Sequence, residues 1–349
     1  MLHFIHLNGT PAHSHNIQFL KFMAAILVIF SHSFSIATGF SDNEPISLLT
    51  NAQLSGGSLA VAFFFFISGY FITRSMIRLQ KAFSFFHARI IRIFPTLVVV
   101  ILITVFIVGP ICTNLPIQDY FQNTSTYRYL LNCLLLRVHL LPGVFTTNPY
   151  PYSVNGALWT LPVEFLCYSV CFLLYKLKLL QTHKTWTTIP VAILYVFVMQ
   201  YLADKWHITL AASLIKPTML FYMGILCYIY RDYIKLNKVL ALTCFIIMLV
   251  LNHLGYLSIG IIILLPYMIL TLGWGLTQHF SNFSTLGNYS YGIYLCGFPI
   301  QQIITTCFNG TMSPYLNTLL SIPLSVLFGC LLYHFIEKPF IKKFSLNTR

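Results

Sequence analysis

The chain has 349 residues, of which 57% are hydrophobic and only 8% are charged. That balance excludes a soluble globular domain, because repeated apolar runs of about 20 residues are typical of membrane-spanning helices. The net charge of +13 would suit nucleic acid, but no soluble module with interleaved basic and aromatic residues accompanies it, and nucleic-acid binding is excluded as well.

Ten apolar stretches follow a polar N-terminal tail at 1–16, and each is predicted to form a membrane helix. They lie at 17–40, 56–76, 91–111, 155–175, 187–204, 209–230, 238–254, 257–277, 287–308 and 314–336. The histidines of the tail lack Cys or acidic partners at ligand spacing, so no metal site is expected. The chain is therefore predicted to be all-α, a polytopic membrane helix bundle of about ten transmembrane helices. It is expected to form one domain over 1–349.

The first predicted helix carries a cation and an imidazole on nearly the same face. Lys21 and His32 are eleven residues apart, which is close to three helical turns and about 16 Å along the axis. Lys21 is therefore placed near one membrane edge and His32 in the opposite half. A lone membrane histidine is equally consistent with a helix–helix hydrogen bond.

Two arginines lie at the start of the third predicted helix. Arg89 and Arg92 have i, i+3 spacing, so both guanidinium groups can reach one anion at the start of a membrane helix, where the helix dipole adds positive charge. Paired arginine forks suit phosphate oxygens. The alternative is that they only anchor the helix at the membrane surface.

The longest connection, at 112–154, is predicted to be an outer loop. Within it, the stretch 127–141 places Arg128 and Arg137 among apolar residues. This pattern predicts an interfacial helix that lies on the membrane rather than a helix that crosses it.

One carboxylate lies inside a predicted membrane helix. The chain has seven Asp and Glu residues; six fall in loops or at segment ends, whereas Glu164 lies within the apolar stretch 155–175. An ionisable group at that depth costs roughly 2–4 kcal/mol on insertion scales, and by default it marks a functional site. The alternative is a structural carboxyl group that pairs two helices.

The distribution of basic residues predicts the orientation. With both termini cytoplasmic, sixteen of the twenty Lys and Arg residues fall on the inner side. Only Arg128, Arg137 and Lys205 fall on the outer side, and Lys216 lies within a helix. This asymmetry follows the positive-inside rule and accounts for the net charge.

Taken together, these motifs resemble the integral-membrane acyltransferase-3 family over nearly the whole chain. The matching segments are the basic residue, ten-residue spacer and histidine at 21–32, the second-helix motif at 57–72, the Arg-x-x-Arg motif at 89–92, the Trp-Thr-Leu-x-x-Glu motif at 159–164 and the ninth-helix motif at 286–301. Each motif alone is weak, but their order and membrane placement make the set specific.

The resemblance implies a membrane-bound O-acyltransferase of the bacterial inner, or cytoplasmic, membrane. It would take an acyl group, most often acetyl, from cytoplasmic acyl-coenzyme A, with no metal. The acceptor would be a hydroxyl of a lipid-linked or cell-surface glycan such as O-antigen, lipopolysaccharide or exopolysaccharide. The remaining partners would be membrane lipids.

The resemblance also implies roles for particular residues. In a cavity open to both sides, His32 would be the general base, or would carry the acyl group transiently, and Glu164 would orient it and stabilise its protonated form. Lys21, Arg89 and Arg92 would hold the phosphates of acyl-coenzyme A.

The remaining site residues are assigned to substrate contacts. Trp159 and Asn155 would meet the acceptor sugar, with core packing as the alternative. Ser68 would let the pantetheine arm, or a neighbouring helix, approach closely.

Two departures from the family pattern bear on any mechanism. Ala62 and Phe63 stand where many members have an Asp before the Phe-Phe pair, and Gly297 stands where a His is common. A rival hypothesis is a proton-coupled transporter or flippase of a glycan or lipid-linked precursor, because intramembrane Glu and His also serve proton coupling. The absence of inverted repeats in the sequence argues against it.

Overall fold

The computed structural model describes residues 5–7, 15–276 and 287–344. Within these ranges, seven helices are long and apolar enough to cross a membrane, or eight if one bent helix pair counts as a single span. The prediction of an all-α, polytopic membrane protein is confirmed. Most of the polar tail, the first residue of the ninth-helix motif (Leu286) and Arg349 lie outside the described residues.

Helices make up most of the described chain. They are α1 (His15–Thr38), α2 (Pro45–Leu49), α3 (Gly56–Leu79), α4 (Ala82–Ile103), α5 (Gly109–Cys112), α6 (Ile117–Gln122), α7 (Thr124–Arg128), α8 (Thr160–Lys176), α9 (Thr182–Thr185), α10 (Ile189–Trp206), α11 (Thr209–Ile229), α12 (Lys238–His253), α13 (Leu257–Ile263), α14 (Leu265–Leu270), α15 (Ser290–Cys307), α16 (Pro314–Leu332) and α17 (Lys338–Phe344). Two short strands, β1 (Ile5–His6) and β2 (Lys235–Leu236), pair antiparallel with Ile5 opposite Leu236.

Three predicted membrane helices are interrupted. A π-helical turn at Thr104–Val108 joins α4 to α5, another at Thr271–Gly275 follows α14, and a third at Tyr333–Glu337 joins α16 to α17. The predicted helix at 257–277 is the bent pair, with a 45° change of direction between Leu257–Ile263 and Leu265–Gly275.

Two of the ten predicted spans do not meet the length and hydropathy expected of a membrane helix. The helix α12 has 16 residues. The helix α15 has 18 residues, but Gln301 and Gln302 near its middle lower its hydropathy. Both helices form where the sequence predicts them.

The third predicted helix begins earlier than expected. The prediction placed its start at residue 91, whereas α4 starts at Ala82. The chain breaks instead at Gln80, whose φ of 59° lies in the left-handed region. Between Ala82 and Arg89 the sequence contains neither Gly nor Pro, so no strong helix-breaking residue stops the helix.

The described chain divides into two compact units. The first unit comprises Met1–Lys21, Ser58–Phe85 and Val163–Thr285. Within it, α3 and α11 approach to backbone contact: Gly69 faces the backbone of Phe221, and Gly224 faces the carbonyl of Phe66. Small residues permit such close approach between membrane helices.

The second unit comprises Phe22–Gly57, Phe86–Pro162 and Leu286–Arg349. Its apolar core joins Leu97 and Val105 of the third membrane span to Tyr120 and Tyr129 of the 113–154 segment and to Leu295 of α15. The Tyr120 hydroxyl also donates a hydrogen bond to the Val105 carbonyl at 2.8 Å. The predicted outer loop is therefore an ordered part of this unit.

The helix predicted at 127–141 is shorter in the structure. After α7, a 3₁₀-helix runs from Tyr129 to Leu134, and residues 135–141 are not helical. Leu135 has a φ of 61°, in the left-handed region. The side chain of Asn132 forms hydrogen bonds with both the N–H and the carbonyl of Val138, where a helix would use backbone partners. A local side-chain bond of this kind competes with helix formation.

Candidate active site

Glu164 lies in the first turns of α8 and accepts two hydrogen bonds on one carboxylate oxygen. Ser68 of α3 donates to Oε1 at 3.0 Å, and the buried Tyr168 hydroxyl donates to the same atom. Among the described residues, Oε2 has no hydrogen-bond partner, so that oxygen is open to a further donor. The arrangement agrees with a structural link between α3 and α8, and it also holds a carboxylate in a fixed position.

The helix spacing explains this cluster. Glu164 and Tyr168 are one turn apart on α8, and Cys171 follows on the same face. Cys171 lies 3.8 Å from the Thr73 hydroxyl of α3, so α3 and α8 face each other over at least two turns. Tyr168 also packs near Phe221 of α11, with ring centroids 6.3 Å apart.

His32 lies on α1 in the second unit and is partly buried. Its ring meets the edge of the Phe298 ring at a centroid distance of 5.1 Å. Within the described part of the chain, neither ring nitrogen has a hydrogen-bond partner. The helix–helix hydrogen bond considered for His32 is therefore not formed here, and the imidazole is available to accept a proton.

A buried amide network fixes α1 directly beside His32. Gln301 Nε2 donates to the Ile29 carbonyl and the Ser33 hydroxyl, each at 2.7 Å. Asn317 Nδ2 of α16 donates to the Gln301 carbonyl at 3.1 Å and to the Thr305 hydroxyl at 2.9 Å. Because Ser33, Gln301 and Asn317 are fully buried, this network holds α1 against α15 and α16.

This network was not predicted from the sequence. Paired glutamines inside an apolar span, followed by Asn317 in the next span, were a visible signal. Polar side chains at that depth need partners. Their positions relative to His32 required the packing of three helices.

Asn155 and Trp159 both lie in the second unit at the start of the fourth predicted span. Asn155 Oδ1 caps the 3₁₀-turn Gly156–Trp159 by accepting from Ala157 N at 3.2 Å, and its Nδ2 donates to the Leu295 carbonyl at 2.9 Å. Trp159 is partly buried. Both ends of the Asn155 amide are thus engaged within the protein, and its contact with a sugar stays a prediction.

The predicted donor-site residues fall in both units. Lys21 lies in the first unit, with its Nζ 5.2 Å from the centre of the Phe71 ring. Arg89, which is partly buried, and Arg92, which is exposed, lie in the second unit.

The prediction that the arginine pair lies at the start of a membrane helix was wrong. Because α4 begins at Ala82, Arg89 lies about two turns inside the helix rather than at its start. The partial charge of a helix N-terminus falls off within the first turn. The positive charge that this pair offers to an anion therefore comes from the two guanidinium groups and not from the helix dipole.

The predicted site residues are divided between the two units. Lys21, Ser68 and Glu164 belong to the first unit, and only Ser68 and Glu164 are in direct contact. The second unit holds the others: His32, Arg89, Arg92, Asn155 and Trp159.

Comparison with known proteins gives one family and two relatives. The family model described as "Acyltransferase domain" matches residues 14–334. An O-acetyl transferase of Shigella phage Sf6 is 25% identical over 342 residues, which cover 93% of this chain and 95% of that protein. Nodulation protein 10 of Rhizobium leguminosarum bv. viciae is 29% identical over 239 residues, which cover 63% of this chain and 61% of that protein. No solved structure matches the chain.

Proposed function

The chain belongs to the membrane acyltransferase-3 family, and from this premise we propose that it transfers an acetyl group from cytoplasmic acyl-coenzyme A to a glycan hydroxyl. The acceptor is a lipid-linked or cell-surface glycan, such as O-antigen, lipopolysaccharide or exopolysaccharide. The site of action is the bacterial inner membrane. The whole chain, 1–349, acts as one acyltransferase domain in this proposal.

The observation that carries the proposal is the fixed carboxylate of Glu164 inside a membrane span, in a chain whose family catalyses acyl transfer. The choice of acetyl is supported by the name of the Shigella phage relative. Family membership also favours acyl transfer over the rival hypothesis of a transporter or flippase.

His32 is proposed as the general base. Its neutral imidazole accepts the proton of the acceptor hydroxyl as the oxygen attacks the thioester carbonyl. The tetrahedral intermediate then expels the thiolate of coenzyme A, which takes up the proton from the imidazolium. The balance is one O–C bond formed, one S–C bond broken and one proton moved from oxygen to sulfur.

The available ring nitrogens of His32 support this role, as does the buried network that fixes its helix. Transient acylation of His32 itself is a second route to the same products. Glu164 is proposed as the second group required for transfer. Its open oxygen, Oε2, is suited to receiving a hydrogen bond from a charged or polar group.

The overall reaction is tested by isotope incorporation into surface glycans. A bacterial host that lacks this modification would be given labelled acetate, with and without the chain. We expect label in the surface glycan only when the chain is present, and we expect alkali to release it, because O-acyl esters are base-labile whereas N-acyl amides resist. Label that resists alkali, or no label, would contradict O-acetylation.

The donor site is predicted to depend on the arginine pair. Arg89→Ala and Arg92→Ala should each weaken acyl-coenzyme A binding by about tenfold, because each removes a guanidinium fork that can bind phosphate oxygens. The measurement is thermal stabilisation of the purified protein over a range of acyl-coenzyme A concentrations. Arg78→Ala is the matched control, since Arg78 lies in the last turn of α3 on the same predicted side. Equal stabilisation of the wild type and all three variants would refute the assignment.

A further inference from the structure

An open groove of about 510 Å³ lies on the 113–154 segment of the second unit. Six residues line this groove. They are Arg128, Leu131, Arg137, Val138, His139 and Leu140. Two arginines, one histidine and three apolar side chains thus line the groove, a combination that suits a ligand with both a charged and an apolar part.

The backbone that carries the groove is held in place from two sides. The buried Asn132 side chain accepts from Val138 N at 3.1 Å and donates to the Val138 carbonyl at 2.9 Å. On the other side, Val154 N donates to the His139 carbonyl at 2.8 Å. Arg137 and His139 flank Val138, so their side chains project from a segment whose backbone is held by these hydrogen bonds.

The groove carries a surplus of positive charge. Arg137 Nη2 donates to His139 Nε2 at 3.2 Å. Partial burial and the charge of Arg137 lower the pKa of His139, which favours the neutral imidazole that can accept this bond. The bond orients the Arg137 guanidinium.

The segment holds few negative charges that could neutralise the arginines. In the whole 113–154 segment the sequence contains one acidic residue, Asp119. Within the described residues, the Arg128 guanidinium has neither a hydrogen-bond nor an ion-pair partner.

The same groove exposes leucine side chains. Leu131 and Leu140 are 39% and 54% exposed. Exposed leucines beside long cationic side chains are typical of segments that lie at a membrane interface, with the apolar groups in the acyl region and the charges at the headgroups.

We propose that this groove binds the phosphate group of a membrane lipid. The Arg128 and Arg137 guanidinium groups contact the phosphate oxygens, and Leu131 and Leu140 contact the start of the acyl chains. Guanidinium forks match phosphate geometry and do not lose their charge. A lipid is favoured over free phosphate because a free anion would leave the two leucines in water. The proposal goes beyond the transferase reaction and holds whether or not the chain acylates a glycan.

The test uses the full-length protein purified in detergent and native mass spectrometry with dioleoyl phosphatidic acid as the probe. Arg128→Gln/Arg137→Gln should retain roughly tenfold less of this lipid than the wild type, because two charge-assisted contacts are lost. Both arginines are exposed, so folding is not expected to depend on them. Lys205→Gln is the matched control, since Lys205 is also exposed and predicted to lie outside.

Binding should fall with increasing salt, as expected for exposed charges, and millimolar inorganic phosphate should not displace the lipid. Equal lipid retention by the wild type and the double variant would overturn the proposal. An equal loss in Lys205→Gln would also overturn it, because general surface charge would then be the cause. Complete displacement by inorganic phosphate would overturn the assignment to a lipid.

Discussion

His32→Ala is expected to reduce acyl transfer by roughly 10²–10⁴-fold, the range typical for loss of a general acid–base group. Glu164→Gln should produce a loss of similar size, because it removes the negative charge while conserving the shape of the side chain. If both residues serve the same step, the double variant should lose little more than the worse single variant. The measurement is the rate of alkali-labile acetyl incorporation into the acceptor glycan.

Matched controls separate these losses from general effects of substitution. His253→Ala removes an exposed histidine at the end of α12, and Asp204→Asn removes an exposed carboxylate from α10. Both should keep near-normal activity. All four single variants should still bind acyl-coenzyme A, since none touches the predicted phosphate-binding residues. Near-normal acetylation by His32→Ala would end the proposal, and multiplied losses in the double variant would show that the two residues act in separate steps.

Gly69→Val and Gly224→Val are expected to destabilise the protein strongly, each by about 3 kcal/mol or more. A Cβ at Gly69 would overlap the Phe221 carbonyl oxygen, and a Cβ at Gly224 would overlap the Phe66 carbonyl oxygen. Because the obstacles are backbone atoms, α3 and α11 would have to separate. The measurement is the midpoint of thermal unfolding in detergent, followed by size-exclusion chromatography.

Gly260→Ala is the matched control for these variants. A Cβ there would lie 2.9 Å from Leu251 Cδ1, the flexible end of a side chain, so a small rotation accommodates it. Its unfolding midpoint should stay close to that of the wild type. An unchanged midpoint in Gly69→Val would mean that α3 and α11 do not meet as the structure has them.

The class of protein could be predicted from the sequence alone. Membrane helices depend on local hydropathy and length, which need no knowledge of packing, and helix bounds such as 209–229 were predicted to within a residue. The sequence also singled out Glu164 and His32, because an ionisable side chain in an apolar stretch is conspicuous without coordinates. Family resemblance came from short motifs in order along the chain, and the family match confirmed it.

Which faces of the helices meet could not be predicted without the tertiary structure. Tyr168 could have been paired with Glu164 from its i, i+4 spacing, but Ser68 lies 96 residues away in sequence. The same holds for the Ser33–Gln301–Asn317 network, which joins three helices. The start of α4 depends on the left-handed backbone of Gln80. The end of the helix predicted at 127–141 depends on the hydrogen bonds between Asn132 and Val138. Hydropathy is a property of one segment and predicts only whether that segment forms a membrane helix. A hydrogen-bond partner depends on how helices that are distant in sequence pack together.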